Sequence, residues 1–206
     1  DARTLTISDN GIGMSAEELE ENLGIIAKSG SLGFKTENEE AAKDTDIIGQ
    51  FGVGFYSAFM VAKHIEVTSR KLGEEQAHVW ISDGADGYSV EDGSRDEVGT
   101  TVQLTLRDDT EDDKYDEFLE EYRLRSLVTK YSDYIRYPIV MNVEKSKVKE
   151  ASEEEKAKED YQPEYETYRE DERLNSMVPI WKKKKSEITA EEYNEFYKSK
   201  FFDWNH

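Results

Sequence analysis

Between residues 64 and 107, apolar and polar side chains alternate in four runs, 64–71, 77–83, 88–91 and 101–107, with Gly73, Gly84, Gly87 and Gly93 spaced through the middle ones at hairpin distance. A period of two sends every second side chain to the same face, so these runs predict strands with one buried face. Connections this short join antiparallel neighbours, and a doubly wound parallel sheet would show continuous apolar strands separated by helices instead. Alternation also marks strands at 4–8 and 139–145.

Helical spacing flanks the meander. Ser15 and Glu18 stand at capping-box distance before a short helix that ends near Leu23, and residues 54–62 make a second apolar helix. Phe118, Leu119, Tyr122, Leu127, Val128 and Tyr131 recur at three and four residues, which predicts one or two helices over 114–134 lying on the sheet. The resulting fold class is α+β, a two-layer sandwich with a mainly antiparallel sheet and helices on one face. Residues 146–160, "SKVKEASEEEKAKED", carry almost nothing to bury and read as a linker or exposed loop. They divide a first domain, 1–145, from the start of a second, 161–206, in which Thr189 and Glu192 form another capping box ahead of Tyr193, Phe196 and Tyr197. The chain opens at Asp1 on a strand running into a loop, and is expected to be a piece cut inside its first domain.

Composition narrows the function. The 206 residues are 36% apolar, enough for a core, and no apolar run reaches the ~18–20 residues of a membrane span. With 47 acidic against 27 basic residues the net charge is −20, which would repel a nucleic acid backbone. The acidic runs at 108–121 and 150–172 read as solvated helix face or linker and are assigned no chemistry. There is no cysteine, which excludes thiolate catalysis and disulfides and fits a reducing cytosol. His64, His78 and His206 lie too far apart in sequence to suggest a metal cluster.

Two stretches carry candidate chemistry. "IIGQFGVGFYS" places Gly49, Gly52 and Gly54 in the order G-x-x-G-x-G before an apolar helix. Backbone that bare can bring N–H groups to phosphate oxygens, or can simply allow close packing. The spacing matches neither the dinucleotide fingerprint nor the P-loop. In "ISDNGIGM", Asp9 ends a strand and is followed by Gly11 and Gly13. A buried carboxylate at that strand mouth can accept a hydrogen bond from an exocyclic amine, or the residue can belong to an Asp-Asn-Gly turn with no ligand.

Together, "DNGIGM" and "GQFGVGFYS" resemble the adenine and phosphate boxes of the gyrase, histidine-kinase and mismatch-repair ATPases, and the second box in this full form is similar to that of the heat-shock protein 90 chaperones, in their bacterial form. "ENLGIIAKSG", "GTTVQLTLRDD" and "PIWKKKKSEITAEEYNEFYKS" extend the resemblance over nearly the whole chain. The resemblance implies the fold of that ATPase superfamily and a nucleotide site. In it Asp9 binds the adenine amino group, with Thr100 acting through water, and Gly13 and Met14 line the base pocket. Asn22 meets the sugar and phosphate side, Lys28 approaches the phosphates, residues 29–48 form a mobile lid, and the main chain of Gly49, Gln50, Phe51, Gly52, Val53, Gly54 and Phe55 cradles the phosphates. The cofactors implied are ATP or ADP with Mg2+. The family's general base and its magnesium-binding asparagine belong to a helix upstream of the first box, and a phosphate-contacting arginine to a domain further downstream. No catalytic or metal-binding residue is therefore expected in this chain, and by itself it is expected to be inactive.

The function implied is an ATP-dependent, cytoplasmic, stress-responsive chaperone that acts on unfolded or partly folded client proteins, hydrolyses ATP and works as a homodimer, without nucleic acid or membrane. Another ATPase of the superfamily, a sensor histidine kinase or a type II topoisomerase, is the alternative. The acidic charge opposes the topoisomerase, and "PIWKKKKSEIT" after the ATP domain favours the chaperone.

Overall fold

The computed structural model describes residues 2–25, 53–149 and 162–201. The chain divides into two compact units, Asp1–Glu120 and Glu121–His206.

In the first unit, β1 (Thr4–Ser8), β2 (Ala62–Arg70), β3 (Ala77–Ser82), β4 (Ser89–Gly93) and β5 (Gly99–Leu106) form one sheet in the order β1-β5-β2-β3-β4. Every neighbouring pair is antiparallel. The register pairs Ile65 with Leu104, Val67 with both Val102 and Trp80, and Leu5 with Leu104. One face thus collects Ile65, Val67, Trp80, Leu104 and Leu106 into the core. On the other face hydroxyl and charged side chains predominate, with Thr4, Thr6 and Ser8 opposite Thr105, Gln103 and Thr101.

Helical segments among the described residues cover the apolar face. In α1 (Ala16–Leu23), Leu19 and Leu23 are buried against the core, and the N-terminus carries the full capping box, with the Glu18 amide donating to Ser15 Oγ and the Ser15 amide to Glu18 Oε2. Burying each such leucine is worth about 1.5–3 kcal/mol, so the cap sets where the helix starts and the leucines set how it docks. The expected helix over 54–62 is shorter and tighter. It is a six-residue 3-10 helix, Phe55–Met60, and Ala62 already belongs to β2. Three residues per turn bring Phe55, Ala58 and Val61 onto one line against the core, which an α-helix would splay. Phe55 meets the buried Trp80 edge-on at 5.5 Å between ring centroids. A further 3-10 turn, Asp116–Leu119, places Phe118 against the same core. The α+β class agrees with expectation, but of the segment 114–134 expected to lie on the sheet only the turn Asp116–Leu119 does so, the helix Glu121–Tyr131 belonging to the second unit.

In the second unit, α2 (Glu121–Tyr131) precedes an antiparallel ribbon of β6 (Val140–Val148) and β7 (Tyr165–Arg173), and α3 (Ala190–Phe201) follows after 3-10 turns at Ile180–Lys182 and Lys185–Glu187. The ribbon departs from expectation. β6 runs past Lys145 to Val148, and β7 occupies an acidic stretch read as linker or helix face. Cross-strand ion pairs run along it: Lys145 lies 2.5 Å from Glu170 and 3.1 Å from Glu172, and Lys147 lies 2.9 Å from Glu166. Arg125 of α2 reaches Glu172 at 2.6 Å. The box before α3 forms as expected, with reciprocal bonds between Thr189 and Glu192.

Candidate functional site

The loop after β1 is laid against the ends of β2 and β5. The Leu72 amide donates to the Ile12 carbonyl at 2.8 Å, and the Met14 amide donates to Ser69 Oγ at 2.8 Å. Gly13 lies between these two bonds at φ +66°, where a Cβ would stand 1.9 Å from the Arg70 carbonyl oxygen. Only glycine lets the loop lie this close. Gly99, at φ +127°, does the same on the other side, since a Cβ there would stand 2.2 Å from the Asp9 carbonyl oxygen.

Those two approaches hold Asp9 in place. Its Oδ1 accepts from the Gly11 amide at 2.9 Å and the Thr100 amide at 3.1 Å, and its own amide donates to the Thr100 carbonyl at 2.8 Å. Among the described residues nothing donates to Oδ2. The side chain is exposed rather than buried, so the carboxylate is an oriented acceptor that a ligand can reach. Arg95 fastens the arrangement from the β4–β5 connection, donating through Nη2 to the Asp9 carbonyl at 2.8 Å, through Nε to the Glu97 carbonyl at 3.0 Å and through Nη1 to Thr101 Oγ1. Behind Asp9, Thr100 is 8% exposed and Ser69 fully buried, with their hydroxyl oxygens 2.9 Å apart. An exocyclic amine meeting Oδ2 would find a charged acceptor already fixed in direction.

Of the residues proposed from sequence, Asp9, Gly13, Met14 and Thr100 come together here, and Met14 also packs against the core. Asn22 is half-buried on α1. The main chain next to it joins the 3-10 helix, because Tyr56 donates from its hydroxyl to the Leu23 carbonyl at 2.8 Å. Val53 and Gly54 are exposed at the start of that helix, and a Cβ on Gly54 would meet nothing within 4 Å. Phe55 turns its ring into the core, so only its main chain is available to a ligand. Lys28, Gly49, Gln50, Phe51, Gly52 and the span 29–48 lie outside the described residues. The α1 glutamates are not all solvated. Glu18 sits 2.7 Å from Lys71, and although burial works to raise its pKa, that ammonium and the Ser15 amide hold it below the ordinary carboxylate range.

The profile of histidine kinase-, DNA gyrase B- and HSP90-like ATPases matches residues 1–97, and that of the Hsp90 protein matches 117–166 and 144–206. The chain is 56% identical over all of its 206 residues to the chaperone protein HtpG of Bacillus subtilis. The chain belongs to the Hsp90 family. It is also 56% identical to HtpG of Halalkalibacterium halodurans and 54% to that of Clostridium perfringens, over 98% of its length in each case. It spans 31% of the length of each of these three Hsp90 relatives.

For an Hsp90-family chain, two residues of this site went unread in the sequence. Ser69 carried a signal, a hydroxyl continuing the inward row of Ile65 and Val67 where an apolar side chain would be expected. Arg95 carried none, because its role depends on the β4–β5 connection folding back over Asp9.

Proposed function

We propose that the Asp9–Thr100 site is the adenine pocket of an ATP-dependent chaperone. The observation that carries this reading is the exposed Asp9 carboxylate, held by two amides on Oδ1 and with no donor to Oδ2 among the described residues, beside a loop that Gly13 lets lie flat on β2. The residues fit a purine with an exocyclic amine, since the acceptor is charged, oriented and reachable. In this reading Asn22 and Lys28 serve the sugar and phosphates, the main chain from Gly49 to Phe55 takes the phosphates, which bring Mg2+ with them, and 29–48 closes over them. Hydrolysis supplies the driving force for work on unfolded or partly folded proteins, in a cytoplasmic, stress-responsive homodimer that uses neither nucleic acid nor membrane. No described helix is long and apolar enough to cross a membrane.

Calorimetric titration with ADP and Mg2+ tests the reading. The chain takes up the nucleotide, and Asp9→Asn, which presents a donor where the base also has one, weakens binding by at least roughly thirtyfold, about 2 kcal/mol. Absence of binding to the unaltered chain overturns it, and equal affinity of the variant removes Asp9 from the site.

A further inference from the structure

Ser69 has no exposed surface and stands on β2 in the row of side chains that fills the core. A methyl-bearing residue would suit that position better unless the hydroxyl is needed. Its oxygen accepts from the Met14 amide at 2.8 Å, lies 2.9 Å from Thr100 Oγ1 and lies 3.2 Å from the Gly99 carbonyl oxygen. Ser69 has one proton to give. The Gly99 carbonyl can only accept, whereas Thr100 Oγ1 can either donate or accept. One arrangement satisfies all three contacts: Ser69 donates to Gly99, and Thr100 donates to Ser69. The Thr100 proton is then committed to Ser69, and Thr100 Oγ1 has only lone pairs to offer a ligand at the residue whose amide holds Asp9. The reverse arrangement would strip the Gly99 carbonyl of this bond and turn Thr100 into a donor.

We infer that Ser69 is a positioning residue that sets base specificity, by holding the Thr100 hydroxyl as an acceptor so that the Asp9–Thr100 edge takes a base with an exocyclic amine and refuses one with a carbonyl in its place. This rests on the nucleotide reading above. A carbonyl brought to that edge would face the Asp9 carboxylate as one acceptor against another, and Thr100, reached directly or through water, would offer no proton of its own to relieve it. Such unpaired polar groups are how a site built on hydrogen bonds rejects a near-isostere.

The test titrates the 206-residue chain and its Ser69→Ala, Ser69→Cys and Ser69→Thr variants with ADP and with inosine diphosphate, whose base has a carbonyl where adenine has the amine, and records thermal melting alongside. The unaltered chain prefers ADP. Ser69→Ala narrows the ratio of the two affinities by roughly three- to tenfold, the worth of one neutral hydrogen bond, while Ser69→Thr keeps it. Ser69→Cys, close in size but a poor hydrogen-bonding group, narrows the ratio in the same sense and serves if the alanine variant does not fold. A lower melting temperature with an unchanged ratio in the alanine and cysteine variants means that Ser69 only fills space, and the inference falls while the nucleotide reading stands. Failure of the unaltered chain to bind either nucleotide removes the nucleotide reading, and this inference with it.

Discussion

A single glycine determines whether the Asp9 loop can exist. At Gly13 two costs coincide, a left-handed φ of +66° and a carbonyl oxygen 1.9 Å from where Cβ would be. Gly13→Ala should therefore lose roughly 2–4 kcal/mol of stability, read from a denaturant midpoint, and should lose nucleotide binding as the loop lifts from β2. Gly54, in open space, should tolerate alanine with its stability nearly unchanged. Sequence alone ranked these glycines alike, because a glycine shows its tolerance and not the neighbour that demands it. His64 is a second case. Its Nδ1 lies 2.6 Å from Asp83 and its Nε2 3.0 Å from Glu66, and these bonds, Asp83 foremost, raise its pKa against the opposing effect of burial. A raised folded-state pKa stabilises the fold fully below the ordinary histidine range, and that contribution is lost as pH rises through the raised value. A nuclear magnetic resonance titration should place the His64 midpoint above the usual histidine value, and Asp83→Asn should bring it down. An unmoved midpoint in the variant would assign the shift elsewhere.

Among the elements, α1 and β7 show opposite degrees of legibility. The limits of α1 were readable because its cap is local: Ser15 and Glu18 bond each other across one turn whatever else the chain does. β7 was not readable. Its residues are nearly all exposed, so no burial alternation marks it, and its charges read as solvated until β6 supplies Lys145 and Lys147 across the ribbon. Single exposed ion pairs contribute little, but Glu172 answers two cations at once, Arg125 and Lys145, which hold its pKa down at about 2. A depressed carboxylate stabilises the fold above the ordinary glutamate range, and the contribution disappears as pH falls toward about 2. Glu172→Gln should flatten the acid limb of the ribbon's unfolding curve in that window and leave the neutral limb parallel. An unchanged acid limb would mean that the ladder merely decorates the strands.

For the whole molecule, the question is whether 206 residues with the proposed nucleotide site can also turn nucleotide over. Hydrolysis needs a base aligned on water, and such a base contributes ~10²- to 10⁴-fold. On α1, Glu17 accepts from the Ser15 hydroxyl at 2.9 Å and Glu18 is committed to Lys71, so each carboxylate is already engaged within the fold. The chain should therefore release no phosphate above background in a steady-state assay while still binding ADP. Turnover that Asp9→Asn abolishes would make an α1 glutamate the base.

What the amino-acid order determined by itself was whatever depends on neighbours within one turn or one strand: the alternation that made an antiparallel sheet with one buried face, the capping boxes at Ser15 and Thr189, and the glycine boxes whose resemblance pointed to the family. Tertiary structure decided what depends on residues far apart in the chain. Arg95 over Asp9, Ser69 behind Thr100, the 3-10 winding of Phe55–Met60 and the pairing of β6 with β7 each need a partner brought from another element. The physical reason is the same in all four: a hydrogen bond, an ion pair or a buried ring stabilises only after the chain has closed on itself, and a local pattern cannot register a contact whose other half lies tens of residues away.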